Sequence, residues 1–350
     1  MVGLLTKLEN KLVLDGNGSY LSMEKGCFVL KDRSGSIERY PLFEQEIGEV
    51  ILKSGNSIST GALASFGFWD IDVMVMTSRG RPVAMLRSFD DDSYVQTRIA
   101  QYQASLDERA FTIAKSLITA KLESQNVILH KYGLEPHLDD FREVIERSQA
   151  KSLELLRRRL TGIEGKHTQR YYRQIFGLFP ENLRPVKREG FMAYDGMNNI
   201  FNLAYEILAW KVHKALIRAK LEPYLGFLHS NQMAKLSLVC DFQELYRYLI
   251  DGFLINYSQK ITKKNFKMKK EFASHGKIGK REYLTDSETK ALLNELNRFF
   301  ETVVEVKRIR NGEHQTLETL INEEALLFAK YIRDEVTEWA PRVTILTNLN

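Results

Sequence analysis

"VAMLRSFDDDSYVQTRIAQYQ", from Val83 to Gln103, is where the chain changes character. Before it, "WDIDVMVMTSRGRPVAML" (Trp69–Leu86) alternates, and Ile71, Val73 and Val75 fall on one side, as in a strand with one buried face. From Asp92 onward the alternation is lost and apolar residues recur at helical spacing. The stretch therefore predicts an α+β chain, with a small N-terminal β-rich domain followed by a larger all-α domain. The boundaries read as 1–87 for the first, 88–95 for a linker and 96–350 for the second.

Toward the N-terminus, "KLVLDGNGSYLSMEKGCFVLKD" (Lys11–Asp32) gives short apolar runs broken by Gly and Asn, the punctuation of hairpins. Asn17-Gly18-Ser19 reads as a turn, and "STGALASF" predicts a short helix over Thr60–Gly67. Toward the C-terminus, "SYVQ…HKYG" (Ser93–Gly133) has no proline and reads as one helix closed by Tyr132-Gly133. A second helix is expected over Leu138–Leu160, and a third from Thr161–Gly162, with Glu164 in its first turn. Asp195 stands as the N-cap of a long apolar helix, further helices fall around Cys240–Asn256, and two more close the chain.

The 350 residues are 44% hydrophobic and 27% charged, ordinary for a soluble globular protein with an ample core. Net charge is +5, so a surface for an anionic partner has to come from local clustering. The two cysteines, Cys27 and Cys240, sit among apolar residues and read as buried free thiols in a reducing cytoplasm. No stretch approaches the roughly 20 apolar residues of a membrane helix. Serine-triad, Cys/His-nucleophile and dinucleotide signatures are missing, which argues against proteolysis and redox chemistry.

"LEPYLGFLHSNQMAKLSLVCDFQELYR" (Leu221–Arg247) embeds His229, Asp241 and Glu244 in core-like sequence. Acidic residues are seldom buried unless paired or bound to a metal. Asp241 and Glu244, three apart, share a helix face, and a turn could bring His229 to them. Two oxygens and an imidazole suit Mg²⁺ or Mn²⁺. A plainer arrangement is also open, with Asp241 as a cap, Glu244 solvated and His229 hydrogen-bonded in the core. Glu164, in "GIEGKHTQRYYRQIF", is favoured at a helix start by the dipole. It also stands beside Arg170 and Arg173, a setting for a metal near a phosphate. "KITKKNFKMKKEF" carries six lysines in thirteen residues, Lys263, Lys264, Lys267, Lys269 and Lys270 among them. They suit either phosphate neutralisation or a solvated surface.

Four elements together resemble the CRISPR-associated integrase, the large subunit of the spacer-acquisition complex. "GIEGKHTQRYY" is similar to the family's G-x-E-G-x-x-A-x-x-Y element, and "YDGMNNIFNLAYEIL" to its D-P-x-N-A-L-L-x-x-x-Y-x-x-L helix. "LEPYLGFLH" resembles L-x-P-x-L-G-F-L-H, and "SLVCDFQELYR" resembles S-L-x-x-D-L-x-E-x-F-R. The likeness runs in order through about Glu338. Gly196 stands where the family usually has proline, and Tyr248 follows Arg247 where proline is usual.

The resemblance implies a metal-dependent DNA endonuclease and integrase with Mg²⁺ or Mn²⁺ as cofactor. Its chemistry would be attack of a DNA 3′-hydroxyl on repeat phosphodiesters, inserting short fragments into the CRISPR array. Glu164, His229 and Glu244 become metal ligands, with Asp241 as an auxiliary acidic group. The second domain becomes the catalytic one. Implied partners are double-stranded and branched DNA, a second copy through the β-domain and a small partner subunit. Arg170, Arg173 and the five lysines are the candidate DNA contacts. A non-catalytic scaffold for branched DNA is the rival expectation, and an RNA-processing nuclease a weaker one.

Overall fold

The structure, a computed structural model, describes residues 5–8, 11–14, 17–41, 47–78, 80–88, 95–137, 140–190, 193–272, 278–305 and 314–341. The chain divides into two compact units, 1–93 and 94–350. Most of the expected linker, 89–94, lies outside the described residues.

The first unit contains β1 (Leu5–Leu8), β2 (Lys11–Leu14), β3 (Tyr20–Glu24), β4 (Cys27–Lys31), β5 (Ile37–Pro41), β6 (Glu49–Lys53) and β7 (Ser57–Ile58). Helix α1 (Thr60–Phe68), β8 (Asp72–Met76) and β9 (Pro82–Leu86) complete it. Among the described residues one sheet has the order β1-β2-β6-β8-β9 and the other β5-β4-β3-β7. Pairing is parallel at β2–β6, β6–β8 and β3–β7, and antiparallel elsewhere. Asn17-Gly18 is a turn, as the sequence predicts, and Ser59 caps α1 by accepting from the Ala62 N–H. Phe66 of α1 stacks on Phe28 of β4 at 4.5 Å, in a core with Leu21, Val50 and Val73. The alternation at Ile71–Val75 predicts one buried face. Strand β8, flanked by β6 and β9, buries Asp72 and Met74 as well as Val73, and Arg87 answers the Asp72 charge at 3.1 Å.

The second unit is mainly helical, with α2 (Val95–Ala104), α3 (Arg109–Lys131), α4 (Asp140–Glu146), α5 (Leu153–Phe176) and α6 (Gly196–Arg218). It continues with α7 (Ser237–Gln243), α8 (Arg247–Ser258), α9 (Asp286–Phe300) and α10 (Leu317–Ile332). It is not all-α. Strands β10 (Phe266–Phe272) and β11 (Ile278–Leu284) form an antiparallel hairpin, and β12 (Val303–Glu305) with β13 (His314–Thr316) forms another. The lysine run hides a strand: Phe266, Met268 and Lys270 share one face, Lys267 and Lys269 the other. Among the described residues no helix is long and apolar enough to cross a membrane.

Three expected helices have other limits. The single helix over Ser93–Gly133 is broken at 105–108, where Asp107 accepts the Arg109 N–H at 2.8 Å and starts α3. Over Leu138–Leu160 there are two helices, because Ser152 caps a new one by accepting from the Leu155 N–H. That new helix, α5, then runs through Gly162 and Gly165 without interruption, anchored by Leu156, Leu160, Tyr171 and Ile175 in the core. Two glycines inside a helix cost about 1 kcal/mol each relative to alanine, which tertiary burial outweighs here. Asp195 caps α6, as its position predicts, accepting from the Asn198 N–H at 2.8 Å. Gly196 follows because a Cβ there would lie 2.2 Å from the Phe266 ring.

Candidate active site

Helix α3 runs along α5 and meets it in two successive polar rungs. The Lys121 ammonium donates to Glu164 Oε1 at 2.5 Å, and one turn on, Gln125 donates to Thr168 Oγ1 at 3.1 Å. Thr168 in turn donates to Glu164 Oε1 at 2.9 Å. Glu164 is thus mid-helix in α5 and half-buried, and the dipole account of its position does not apply.

From the other side comes α7, whose C-cap is Glu244. Its carboxylate is 3% exposed. Oε1 lies 3.0 Å from Arg247 and Oε2 lies 2.8 Å from the Lys121 ammonium. Among the described residues Lys121 is the one partner of that buried oxygen. Burial opposes the charge on Glu244, but the attraction of Arg247 and Lys121 outweighs it and holds the carboxyl down to about 2. The same two carboxylates overcome burial at Lys121 and keep its ammonium charged. One cation, Lys121, therefore joins Glu164 and Glu244, eighty residues apart in sequence.

Asp241, one turn before Glu244 on α7, is fully buried and organises the loop ahead of it. Its Oδ2 accepts the N–H groups of Phe227 at 2.6 Å and Leu228 at 3.1 Å. Its Oδ1 accepts the His229 N–H at 2.8 Å and faces the His229 ring Nδ1 at 2.7 Å. With Nδ1 donating to the carboxylate, Nε2 carries the lone pair, the usual arrangement behind a metal-binding histidine. Arg157 clamps the same loop, donating to the carbonyls of Gly226 and Phe227 at 2.8 Å each. Gly226 is required there, because a Cβ would sit 2.7 Å from Ser237 Cβ and 3.0 Å from Asp241 Oδ2. Gln101 of α2 fixes the loop's start, accepting the Glu222 N–H at 2.7 Å and donating to the carbonyls of Glu222 and Leu225.

Behind Arg247 lies a buried tyrosine cluster. Its guanidinium sits 4.8 Å over the Tyr205 ring, Tyr172 and Tyr205 share a 2.8 Å hydrogen bond, and Tyr171 donates to Asp251 at 2.7 Å. Tyr205 also donates to Asp251.

The structure therefore gathers Glu164 and Glu244 on one cation and joins His229 to Asp241. Among the described residues no three His, Cys, Asp or Glu side chains stand arranged around a metal position. The chemistry of the donors nonetheless fits a divalent cation: a carboxylate pair already sharing a positive charge, one buried oxygen facing only an ammonium, and an oriented imidazole. Lys121, Gln101, Arg157 and Thr168 carry this site, and the sequence pattern does not single them out for it.

The DNA-contact candidates are dispersed. Arg170 pairs with Glu135 at 2.6 Å, and Arg173 is exposed in the last turn of α5. Lys263 pairs with Glu282 at 3.0 Å and Lys267 with Asp286 at 2.7 Å. Lys264, Lys269 and Lys270 are exposed on or beside the β10–β11 hairpin.

The chain matches the family described as CRISPR associated protein Cas1 over residues 12–298. It is 29% identical over 275 residues to the CRISPR-associated endonuclease Cas1 1 of Archaeoglobus fulgidus, covering 71% of this chain and 79% of the relative. Among solved structures it is similar to a casposase bound to integration product, with a TM-score of 0.71, 19% identity and 96% and 95% of the two chains covered. It is also similar to a chain of a Cas6-RT-Cas1–Cas2 complex, with a TM-score of 0.65, 20% identity and 97% and 37% covered. Shared fold across both units, together with the match over 12–298, leads to one conclusion: this chain belongs to the CRISPR-associated protein Cas1 family.

Proposed function

We propose that the protein is a metal-dependent DNA endonuclease and integrase of CRISPR adaptation, joining a DNA 3′-hydroxyl to a repeat phosphodiester. The observation that carries this reading is the convergence of Glu164 and Glu244 on one cationic centre, with His229 held alongside by Asp241. In this reading Glu164, His229 and Glu244 hold Mg²⁺ or Mn²⁺. A bound ion would supply charge stabilisation at the attacked phosphate and help activate the nucleophile. Asp241 keeps the His229 ring in the tautomer that presents Nε2. Arg247 holds Glu244 in place through its guanidinium. Arg170, Arg173 and the lysines at 263–270 would track the DNA backbone.

The names of the similar proteins, an endonuclease, a casposase on integration product and a Cas1–Cas2 complex, support DNA as substrate and a Cas2-type subunit as partner. A second copy docked through the β-rich unit, branched DNA as the bound form and a cytoplasmic location complete the proposal. A hydrolytic nuclease and an integrase can share these residues and differ only in nucleophile. A second DNA end bound beside the scissile phosphate gains an effectively intramolecular advantage over water.

The test supplies the protein and partner subunit with a repeat-bearing target and two fragments, one ending in 3′-hydroxyl and one in 3′-deoxy. Joined strand should form only with the hydroxyl and vanish with EDTA, while DNA binding persists. Equal nicking with both fragments and no joined strand would leave a nuclease. Binding with no metal-dependent chemistry at all would leave the scaffold reading.

A further inference from the structure

The Lys121 ammonium lies 2.5 Å from Glu164 and 2.8 Å from Glu244, the two carboxylates assigned above to the metal. It reaches them from the apolar stripe of α3, where Ala114, Leu117, Ile118, Leu122 and Ile128 are core residues, and its own side chain is 9% exposed. A lysine buried this deeply persists only with its charge answered. The answer is complete before any metal arrives: two carboxylates face two cations, Lys121 and Arg247.

We infer that Lys121 is an internal counter-cation of the metal site, holding Glu164 and Glu244 together in the metal-free protein and competing with a divalent ion for them. This rests on the reading of Glu164 and Glu244 as metal ligands. Three observations support it. A single ammonium touches both carboxylates, the place a bridging cation would take. Glu244 Oε2 faces the Lys121 ammonium at 2.8 Å and accepts from no other group among the described residues, so withdrawal of Lys121 frees it for a metal. Thr168 hydrogen-bonds Glu164 independently of Lys121, so that carboxylate keeps a partner when the ammonium withdraws. Arg247 stays paired with Oε1, leaving Oε2 as the oxygen over which lysine and metal compete. Lys121 is thus a positioning residue: it preforms the carboxylate pair and sets how strongly a metal must bind to enter.

The experiment measures Mn²⁺ binding to the full chain by electron paramagnetic resonance and calorimetry, without DNA, for wild type, Lys121→Met, Lys121→Gln and Glu164→Gln. Melting with and without Mn²⁺ is recorded for each. Removing the competing charge should tighten Mn²⁺ binding by about tenfold or more, the scale of one nearby like charge in a partly desolvated site. The lysine variants should melt lower than wild type without metal, because two carboxylates lose the cation they share, and should gain more from Mn²⁺ than wild type gains. Lys121→Gln keeps a polar contact and serves if Lys121→Met does not fold. Lysine variants that bind Mn²⁺ no tighter than wild type, while Glu164→Gln abolishes wild-type binding, overturn the competition and leave the metal site standing. No specific Mn²⁺ binding in wild type or lysine variants overturns both the metal reading and this inference.

Discussion

Asp241 receives both the backbone N–H and the ring Nδ1 of His229, at 2.8 and 2.7 Å, through the same oxygen. One carboxylate oxygen thereby sets the position and tautomer of the imidazole, and the other oxygen fixes the two residues before it. Spacing leaves Asp241 as a candidate ligand or a helix cap, and the resemblance makes it an auxiliary acidic group. The hydrogen bonds change that expectation. Asp241→Asn should lower strand-transfer activity about 10–100-fold, the range for losing a group that orients a metal-bound histidine. Asp241→Ala should also destabilise the fold, by about 1–3 kcal/mol for each buried N–H left without an acceptor. Urea melts beside activity assays check both. An Asp241→Ala protein as stable as wild type would mean the loop does not depend on this carboxylate.

Substitution of Glu164, His229 or Glu244 by alanine should reduce metal-dependent cleavage by more than about a hundredfold, beyond the cost of losing an orienting partner. Circular dichroism should remain native for Glu164 and His229, which are only half-buried. Glu244→Ala leaves Lys121 and Arg247 without a shared anion and should lower the melting temperature as well. Any of the three that retains wild-type activity is excluded as a ligand.

Much of the architecture is legible because its signals are local. The loss of alternation after Leu86 separates β-rich from helical sequence, and Asp195, Thr285 and Thr316 announce their helices as N-caps. What is not legible is non-local or disguised. Parallel pairing of β2 with β6 depends on partners far apart in sequence. Gly162 and Gly165 read as a helix start, yet the core contacts of α5 carry the helix through them. The lysines of β10 read as charge, although every second residue shares a face. Lys121 and Gln125 did leave a trace: both stand at helical spacing on the apolar stripe of α3, where a polar residue needs a buried partner. The stripe shows that a partner exists, but naming Glu164 and Thr168 takes the packing of α3 on α5.

Asp251 gives a pH signature independent of the metal. Burial pushes its carboxyl from 3.8 up to about 6, against the hydrogen bonds from Tyr205 and Tyr171 and the attraction of Arg247 and Arg188. The folded protein binds this proton more tightly than the unfolded chain. Its contribution is therefore full below the unfolded value of 3.8 and lost as pH rises through about 6. The stability of wild type minus that of Asp251→Asn should fall by roughly 3 kcal/mol at most across this window, then stay level. Urea unfolding of both proteins from acid to neutral pH measures it. A difference that does not change with pH would mean that Asp251 titrates as it does in the unfolded chain.

The basic hairpin separates into lysines with and without partners. Lys263 and Lys267 are held by Glu282 and Asp286, so a phosphate must compete with a carboxylate for each. Lys264 and Lys270 are exposed, with no acidic partner among the described residues. If the hairpin neutralises DNA phosphates, the unpaired lysines should contribute most, because no existing ion pair has to break. Neutralising Lys264 and Lys270 together to glutamine should reduce the slope of log K against log salt by about 1.8 on duplex DNA, two contacts at about 0.9 each. Neutralising Lys263 and Lys267 should reduce it by less, and reversal of all five lysines from 263 to 270 should flatten it furthest. Fluorescence anisotropy across a salt series, with one duplex and constant pH, reads all three. A slope unchanged in the Lys264 and Lys270 variant would make the hairpin a solvated surface and move the DNA path to Arg170, Arg173 or elsewhere.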